Sequence, residues 1–269
     1  MYQFFVEPDQ INIPDRSVII MSGDVNHIKN VLRMKVGEEL SVCTGQDGKE
    51  YRCGIASFGE DRIICELRFI KEENVELPVK VYLFQGLPKA DKMELIVQKA
   101  VELGVYRIIP VSMKRCVVKL DEGKAASKVR RWQGIAEAAA KQSKRGVIPE
   151  VSGIMNFRQA VDMAAAMDVR VIPYELAEGM EKTREMINGI EAGQSVAVFI
   201  GPEGGFEEQE IQMAVDNGIQ PITLGRRILR TETAGMVVLA WIGYVTEDEL
   251  EKYQRRGGAY NRDKRKQEM

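Results

Sequence analysis

From Val79 onward the sequence alternates short apolar runs with amphipathic stretches, and this limits the fold more than any other feature. The runs are VKVYLFQG, VYRIIPV, MDVRVIPYE, SVAVFIGPE and QPITLGRR. Each is short, apolar and rich in β-branched residues, as expected of strands buried on both faces. Helical periodicity fills the intervals. Over 91–103 it places Met93, Ile96, Val97, Ala100 and Val101 on one face, and Gly104 ends the helix. A longer helix is predicted over 122–144, with others between the later strands and one after Thr231. Such alternation predicts a mostly parallel sheet covered by helices on both faces.

The first 72 residues follow another rule. YQFFV, SVIIM, ELSVCT, YRCGIAS and RIICELRFI are short apolar or alternating runs. Turn residues separate them: Pro8-Asp9, Pro14-Asp15, Gly45, Asp47-Gly48 and Gly59. One short helix, near 23–33, interrupts them. This pattern predicts a small β-barrel. KEENVELP is charged and aperiodic, and reads as a linker. The chain therefore divides into a barrel over 1–72, a linker over 73–77, an α/β domain over 78–246, and a highly charged tail over 247–269 with too few apolar residues to pack.

Composition narrows the function classes. A net charge of −2 argues against nucleic-acid binding driven by global charge, and leaves room for a local basic face. The four cysteines, Cys43, Cys53, Cys65 and Cys116, show no CxxC spacing, so neither a zinc site nor a disulfide framework is expected. With His27 as the single histidine, no metal is expected. No charged segment followed by an apolar one opens the chain, and the longest apolar run, 234–245, is too short to span a bilayer. The expected setting is the cytoplasm, away from membranes.

In parallel α/β sheets, ligands bind at the carboxyl ends of strands. Three such loops stand out: 174–179, 200–206 (IGPEGGF) and 224–235 (LGRRILRTETAG). Neither the P-loop pattern with its lysine nor a GxGxxG dinucleotide loop is present. Glu203, in the middle of the second loop, opposes a phosphate and suits a ligand with a cationic or neutral centre. S-adenosylmethionine, with a positive sulfonium and no phosphate, fits that description. A tight turn whose glycines only permit the backbone geometry is the plain alternative.

FIGPEGGF followed by LGRRILRTETAG resembles the paired signature of the RsmE family, the 16S ribosomal RNA uracil-N3 methyltransferases of the SPOUT superfamily. HIKNVLRMKVGEEL, QKAVELGVYRIIPV, KRCVVKL and RWQGIAEAAAKQSKRGVIPEV resemble further family blocks, in order, over most of residues 1–245. The resemblance implies a C-terminal SPOUT domain, trefoil-knotted with a mostly parallel sheet, behind an N-terminal PUA/OB-like β-barrel that binds RNA. It implies S-adenosyl-L-methionine as cofactor, a homodimer with its site at the subunit interface, and a uridine of 16S rRNA as substrate within the assembled small subunit. Carried onto this sequence, the cofactor loops supply Leu176, Ile200, Gly201, Gly205, Leu224, Gly225, Ile228, Leu229 and Thr233. The chain departs from the family pattern at Gln3, where an arginine is common, and at Asn26, where a histidine often precedes the one at His27. Another RNA methylation, such as ribose 2′-O transfer, and a non-catalytic ribosome assembly factor are the competing readings.

Methylating uridine N3 requires loss of its proton and stabilisation of the anion that spreads onto the flanking oxygens. Arginine suits the second task by charge and fork geometry. Arg230 is the first candidate, ahead of Arg226 and Arg227. Glu203 and Glu232 are candidates for the base, and the sequence does not choose between them. From Lys114 to Arg145, ten lysines and arginines stand against three acids, an excess of seven positive charges. A solvated helix face explains such a run as readily as phosphate attraction does. On the RNA reading, the contacts are Arg115, Lys119, Gln142 and Arg145, extended by Lys29, Arg33 and Lys35.

Overall fold

The computed structural model describes residues 1–21, 23–72, 75–118, 120–177 and 179–247. All of the predicted tail except Glu247, together with Lys119, lies outside the described residues. The chain forms two compact units: Met1–Glu76 with Glu137–Ile148, and Leu77–Ala136 with the chain from Pro149 onward.

In the first unit the turn-punctuated runs become β1 (Gln3–Phe5), β2 (Ile11–Asn12), β3 (Ser17–Met21), β4 (Glu39–Cys43), β5 (Glu50–Phe58) and β6 (Arg62–Lys71). They make one curled sheet in the order β1-β4-β5-β6-β3-β2. β1 and β4 are parallel, and the other pairs are antiparallel. The helix α1 (Gly23–Asn26) runs on into a wider turn, His27–Val31. Its Val25 and Ile28 join Val18, Ile20, Leu40, Val42 and Ile63 in a buried apolar core. Cys43, Cys53 and Cys65 are buried free thiols, each pushed up to about 12 first by desolvation, which keeps them protonated and inert.

Residues 137–148 belong to this unit through specific bonds. Gln3 Nε2 donates to the Arg145 carbonyl at 2.7 Å. Gly45 bridges Val147 in parallel, and the Ile148 N–H reaches the Gly45 carbonyl at 2.9 Å. The Arg145 guanidinium, 3% exposed, is ion-paired with the Glu76 carboxylate. Arg145, expected as an RNA contact, is a buried cation whose Nε and Nη2 face Glu76.

The second unit holds seven strands, all parallel: β7 (Lys80–Gly86), β8 (Arg107–Ser112), β9 (Glu150–Val151), β10 (Met155–Asn156), β11 (Val169–Pro173), β12 (Ser195–Ile200) and β13 (Gln220–Ile222). Their order is β10-β8-β7-β12-β11-β13, with β9 also paired to β8. The helices are α2 (Lys92–Glu102), α3 (Glu122–Gln142), whose last turns group with the first unit, α4 (Phe157–Ala164), α5 (Met180–Asn188), α6 (Glu208–Asp216) and α7 over 231–247. At the sheet centre Phe84 of β7 and Phe199 of β12 are register partners and stack at 4.4 Å, both wholly buried. Phe157 of α4 meets Phe199 edge-on. From β7 the chain moves outward through β8 to β10, and then returns to β11 on the other side of β12. The strand order thus reverses between β7 and β12, the position where open parallel sheets bind ligands.

Breaking a buried ion pair leaves an uncompensated charge. Arg145→Ala is expected to cost about 3–5 kcal/mol in urea denaturation followed by far-ultraviolet circular dichroism. A loss below about 1 kcal/mol, the scale of exposed pairs, would contradict that role.

Candidate functional site

The carboxyl ends of β11, β12 and β13, neighbours in the sheet, open onto a cavity of about 480 Å³. That volume is in the range of small-molecule sites. Pro173–Glu175 form one wall, Ile200–Phe206 a second, and Thr223–Thr231 a third; Ala234 and Lys92 complete the lining. Of the predicted cofactor residues, Ile200, Gly201, Gly205, Leu224, Gly225, Ile228 and Leu229 line it. Leu176 and Thr233 do not. Leu176 is 70% exposed, and Thr233 faces solvent on the first turn of α7.

Close packing holds the second loop in place. A Cβ on Gly86, at the end of β7, would lie 2.7 Å from the Pro202 nitrogen and 2.9 Å from Met113 Sδ. Only glycine lets these backbones approach so closely. The third loop turns at Gly225 with φ +100°, a conformation that L side chains resist.

A buried relay joins the second and third loops. Gln85, at 0% exposure, donates from Nε2 to the Gly86 carbonyl at 3.0 Å and to Thr231 Oγ1 at 2.9 Å. Thr231 in turn donates to the Gly201 carbonyl at 2.6 Å. Thr231 stands at the start of α7, where a hydroxyl commonly caps the helix's own N–H groups. Its hydroxyl instead bonds across to the neighbouring loop, while the Arg230 carbonyl accepts the first helical N–H groups, from Thr233 and Ala234. Two further bonds tie in the surroundings. Arg115 Nη1 donates to the Gly204 carbonyl at 3.0 Å, and Glu210 of α6 accepts from the Lys114 N–H at 2.9 Å. Arg115, predicted as an RNA contact, is thus an exposed strut of the second loop.

The two predicted acids occupy different environments. Glu203 accepts from Lys92 Nζ at 2.8 Å and from the Lys89 N–H at 3.1 Å. Partial burial is the largest single influence on Glu203 and raises its pKa. The Lys92 hydrogen bond, backbone hydrogen bonds and the Lys92 charge together outweigh it and hold the carboxyl below its ordinary value. Lys92 is raised in return, chiefly by its hydrogen bond to Glu203. Glu232 is not among the lining residues. Its Oε2 lies 3.6 Å from Lys92 Nζ and has no hydrogen-bond partner among the described residues. Arg230 lines the cavity and is exposed.

Of the other predicted RNA residues, Lys119 lies outside the described residues, and Lys29, Arg33, Lys35 and Gln142 belong to the first unit. Lys29 Nζ is tied to the Gly59 carbonyl, while Arg33, Lys35 and Gln142 are exposed. Sequence reading missed Gln85, Lys92 and Thr231 as parts of the site. Gln85 did leave a signal, as the one amide in the apolar run VYLFQG. Among the described residues no group of His, Cys, Asp and Glu is placed to hold a metal ion, and no helix is long and apolar enough to cross a membrane.

Residues 75–243 match the RNA methyltransferase domain family, and residues 22–68 match the RNA methyltransferase PUA domain family. The chain is 38% identical to ribosomal RNA small subunit methyltransferase E of Bacillus subtilis, over 92% of this chain and 98% of that protein. Among solved structures it resembles a ribosomal RNA small subunit methyltransferase E from Neisseria gonorrhoeae bound to S-adenosyl methionine. The TM-score is 0.77 at 32% identity, covering 90% of this chain and 97% of that one. A putative methyltransferase from Legionella pneumophila, in complex with the same cofactor, gives a TM-score of 0.73 at 30% identity, covering 90% and 95%.

Two outcomes are expected. Thr231→Val strands the buried Gly201 carbonyl and Gln85 amide and should cost about 1–3 kcal/mol in denaturant unfolding. Thr231→Ser should restore most of that loss; equal losses in the two variants would rule out the hydroxyl. The second outcome concerns pH. Because the folded pKa of Glu203 is depressed, its contribution to stability is present above the ordinary carboxylate value of 4.5 and is lost as pH falls through the folded value. The stability gap between wild type and Glu203→Gln should therefore narrow in titrations from about pH 6 to about pH 3. A gap independent of pH would contradict the pairing.

Proposed function

We propose, from the premise that this chain belongs to the ribosomal RNA small subunit methyltransferase E family, a PUA domain joined to a SPOUT methyltransferase domain, that it methylates N3 of one uridine in 16S rRNA with S-adenosyl-L-methionine as methyl donor. The observation that carries this reading is the cavity at the carboxyl ends of β11, β12 and β13, with Arg230, Lys92 and Glu203 in its lining and Glu232 behind them, 3.6 Å from Lys92. The substrate is the uridine within an assembled small subunit, in the cytoplasm. The α/β domain is read as trefoil-knotted, and the working form as a homodimer. Exposed Ile228 and Tyr244, and a small cavity of about 230 Å³ lined by Met180, Ile187, Trp241, Tyr244 and Val245, support an association through this unit.

The lining fits the cofactor. Ile200, Leu224, Ile228, Leu229 and Phe206 offer apolar surface to an adenine ring, and the glycine-rich turns present backbone polar groups to its edge. Glu203 places a fixed negative charge where a phosphate would be repelled and a sulfonium tolerated. When bound, the cofactor supplies an electrophilic methyl group.

The protein's own groups supply the rest. Positioning the uridine base against the methyl group provides much of the rate by itself. Arg230, a permanently charged fork at the cavity edge, stabilises the anion that forms on the oxygens flanking N3. Glu203 is held ionised by Lys92 and the Lys89 N–H and has few lone pairs to spare, which suits a clamp better than a base. Glu232 has an enclosed oxygen, Oε2, with no hydrogen-bond partner among the described residues, and we assign the uridine N3 proton to this carboxylate. Lys92, 3.6 Å away, steadies its charge before transfer.

The test is transfer of a labelled methyl group from the cofactor to small subunits lacking the modification. Arg230→Ala is expected to lower kcat about 10²–10³-fold with little change in cofactor binding by calorimetry. Glu232→Gln should lower kcat about 10²–10⁴-fold and abolish the acidic limb of its pH profile, which Glu203→Gln should retain. A wild-type protein that binds no cofactor, even with small subunits present, would reject the methyltransferase reading. Full activity in Glu232→Gln would remove that residue as the base.

A further inference from the structure

The first unit has a cleft of its own, of about 300 Å³, that the methylation chemistry does not use. Register explains how it forms. Gln3 pairs with Ser41, Ser41 with Arg52, and Arg52 with Phe69, so one rung across four strands points these side chains to the same face. On the next rung, Glu50 pairs with Lys71. Lys144, from the segment after α3, closes the side and donates to the Met1 carbonyl at 3.0 Å.

The charge on this face is one-sided. Among the described residues Arg52, Lys71 and Lys144 line the cleft against one lining carboxylate, Glu50. Glu50 holds Arg52, with Nε at 2.9 Å and Nη2 at 3.1 Å, and leaves Lys71 and Lys144 as exposed cations. Beside them Phe69 stands 59% exposed, a costly place for an aromatic ring unless something covers it. Its opposite neighbour is the guanidinium-bearing Arg52.

We propose that this face is a binding site for one unpaired nucleotide of single-stranded RNA. The base stacks on Phe69, and the flanking phosphates pair with Lys71 and Lys144. A face that combines cations with an exposed ring matches single-stranded RNA, whose bases offer both stacking surfaces and nearby phosphates. A-form duplex buries those base faces, and a cleft at the lower end of ligand-site volumes, roughly 300 Å³, has no room for one. The site differs from the Lys29, Arg33 and Lys35 track expected from the sequence. It rests on the reading that RNA is the substrate, and it specifies where a segment other than the target uridine is held.

The test uses the full chain and a fluorescein-labelled ten-nucleotide RNA of mixed sequence, single-stranded or annealed to its complement. Phe69→Ala should weaken single-strand binding at least fivefold, the scale of one stacked base, without altering the salt slope. Lys71→Gln should weaken it too and reduce that slope by about 0.7, one phosphate contact. Glu50→Gln should tighten binding. Thermal melting and cofactor calorimetry on each variant separate lost folding from lost contact. Wild-type affinity in both Phe69→Ala and Lys71→Gln would overturn the proposal, as would equal losses on single strand and duplex. A protein that binds the single strand through this face yet binds no cofactor would instead reject the methyltransferase reading and leave the cleft standing.

Discussion

The hydrogen bond from Thr231 to the Gly201 carbonyl, backed by the wholly buried amide of Gln85, holds the candidate site together. Three parallel strands deliver three loops to one end of a sheet, but strand ends alone do not fix loop shape. The relay fastens the glycine-rich second loop to the start of α7, and hence to the third loop. Gly86 permits the contact by leaving room for Pro202 against β7. Two of the three walls of the cavity, Ile200–Phe206 and Thr223–Thr231, sit on loops held by these contacts. Gln85 and Thr231 are buried, which limits the competition of water for these tethers.

Charge is arranged around that frame in two tiers. Lys92 stands between Glu203 and Glu232 and satisfies only the first at hydrogen-bond distance. The same cation helps to hold the Glu203 carboxyl below its ordinary value and leaves Glu232 Oε2 without a hydrogen-bond partner among the described residues. The roles proposed for the two acids rest on this contrast in their partners. Arg115 and Glu210 brace the same loop from outside the cavity, so part of the basic run from Lys114 onward serves the fold before it serves RNA.

Much of this was legible in the sequence because burial on both faces leaves a continuous apolar run. SVAVFI became β12 and VKVYLFQ became most of β7, and the three loops expected to converge do line one cavity. The short strands β2, β9 and β10 left no periodicity to detect. Arg145 shows the limit most clearly. Its neighbours in sequence are basic and suggested an RNA face, whereas its partner, Glu76, is 69 residues away and invisible to any local pattern. Residues 137–144 likewise read as the end of a helix in the second domain, whereas long-range bonds to Met1, Gln3, Gly45 and Glu76 attach residues 137–148 to the first unit. Gln3 itself, a departure from the family pattern, has its amide committed to the Arg145 carbonyl. Thr231 was noticed for its helix-start position, but its bond to Gly201 depends on the pairing of β7 with β12, which no local pattern encodes.

The central claim is that the cavity directs a methyl group to one nitrogen of one base. The most direct measurement is chemical identification of the product: nuclease digestion of 16S rRNA from small subunits treated with the protein and cofactor, followed by mass spectrometry of the nucleosides. The account predicts 3-methyluridine, in about one copy per subunit. A 2′-O-methyl nucleoside in its place, or no methylated nucleoside above the untreated control, would contradict it.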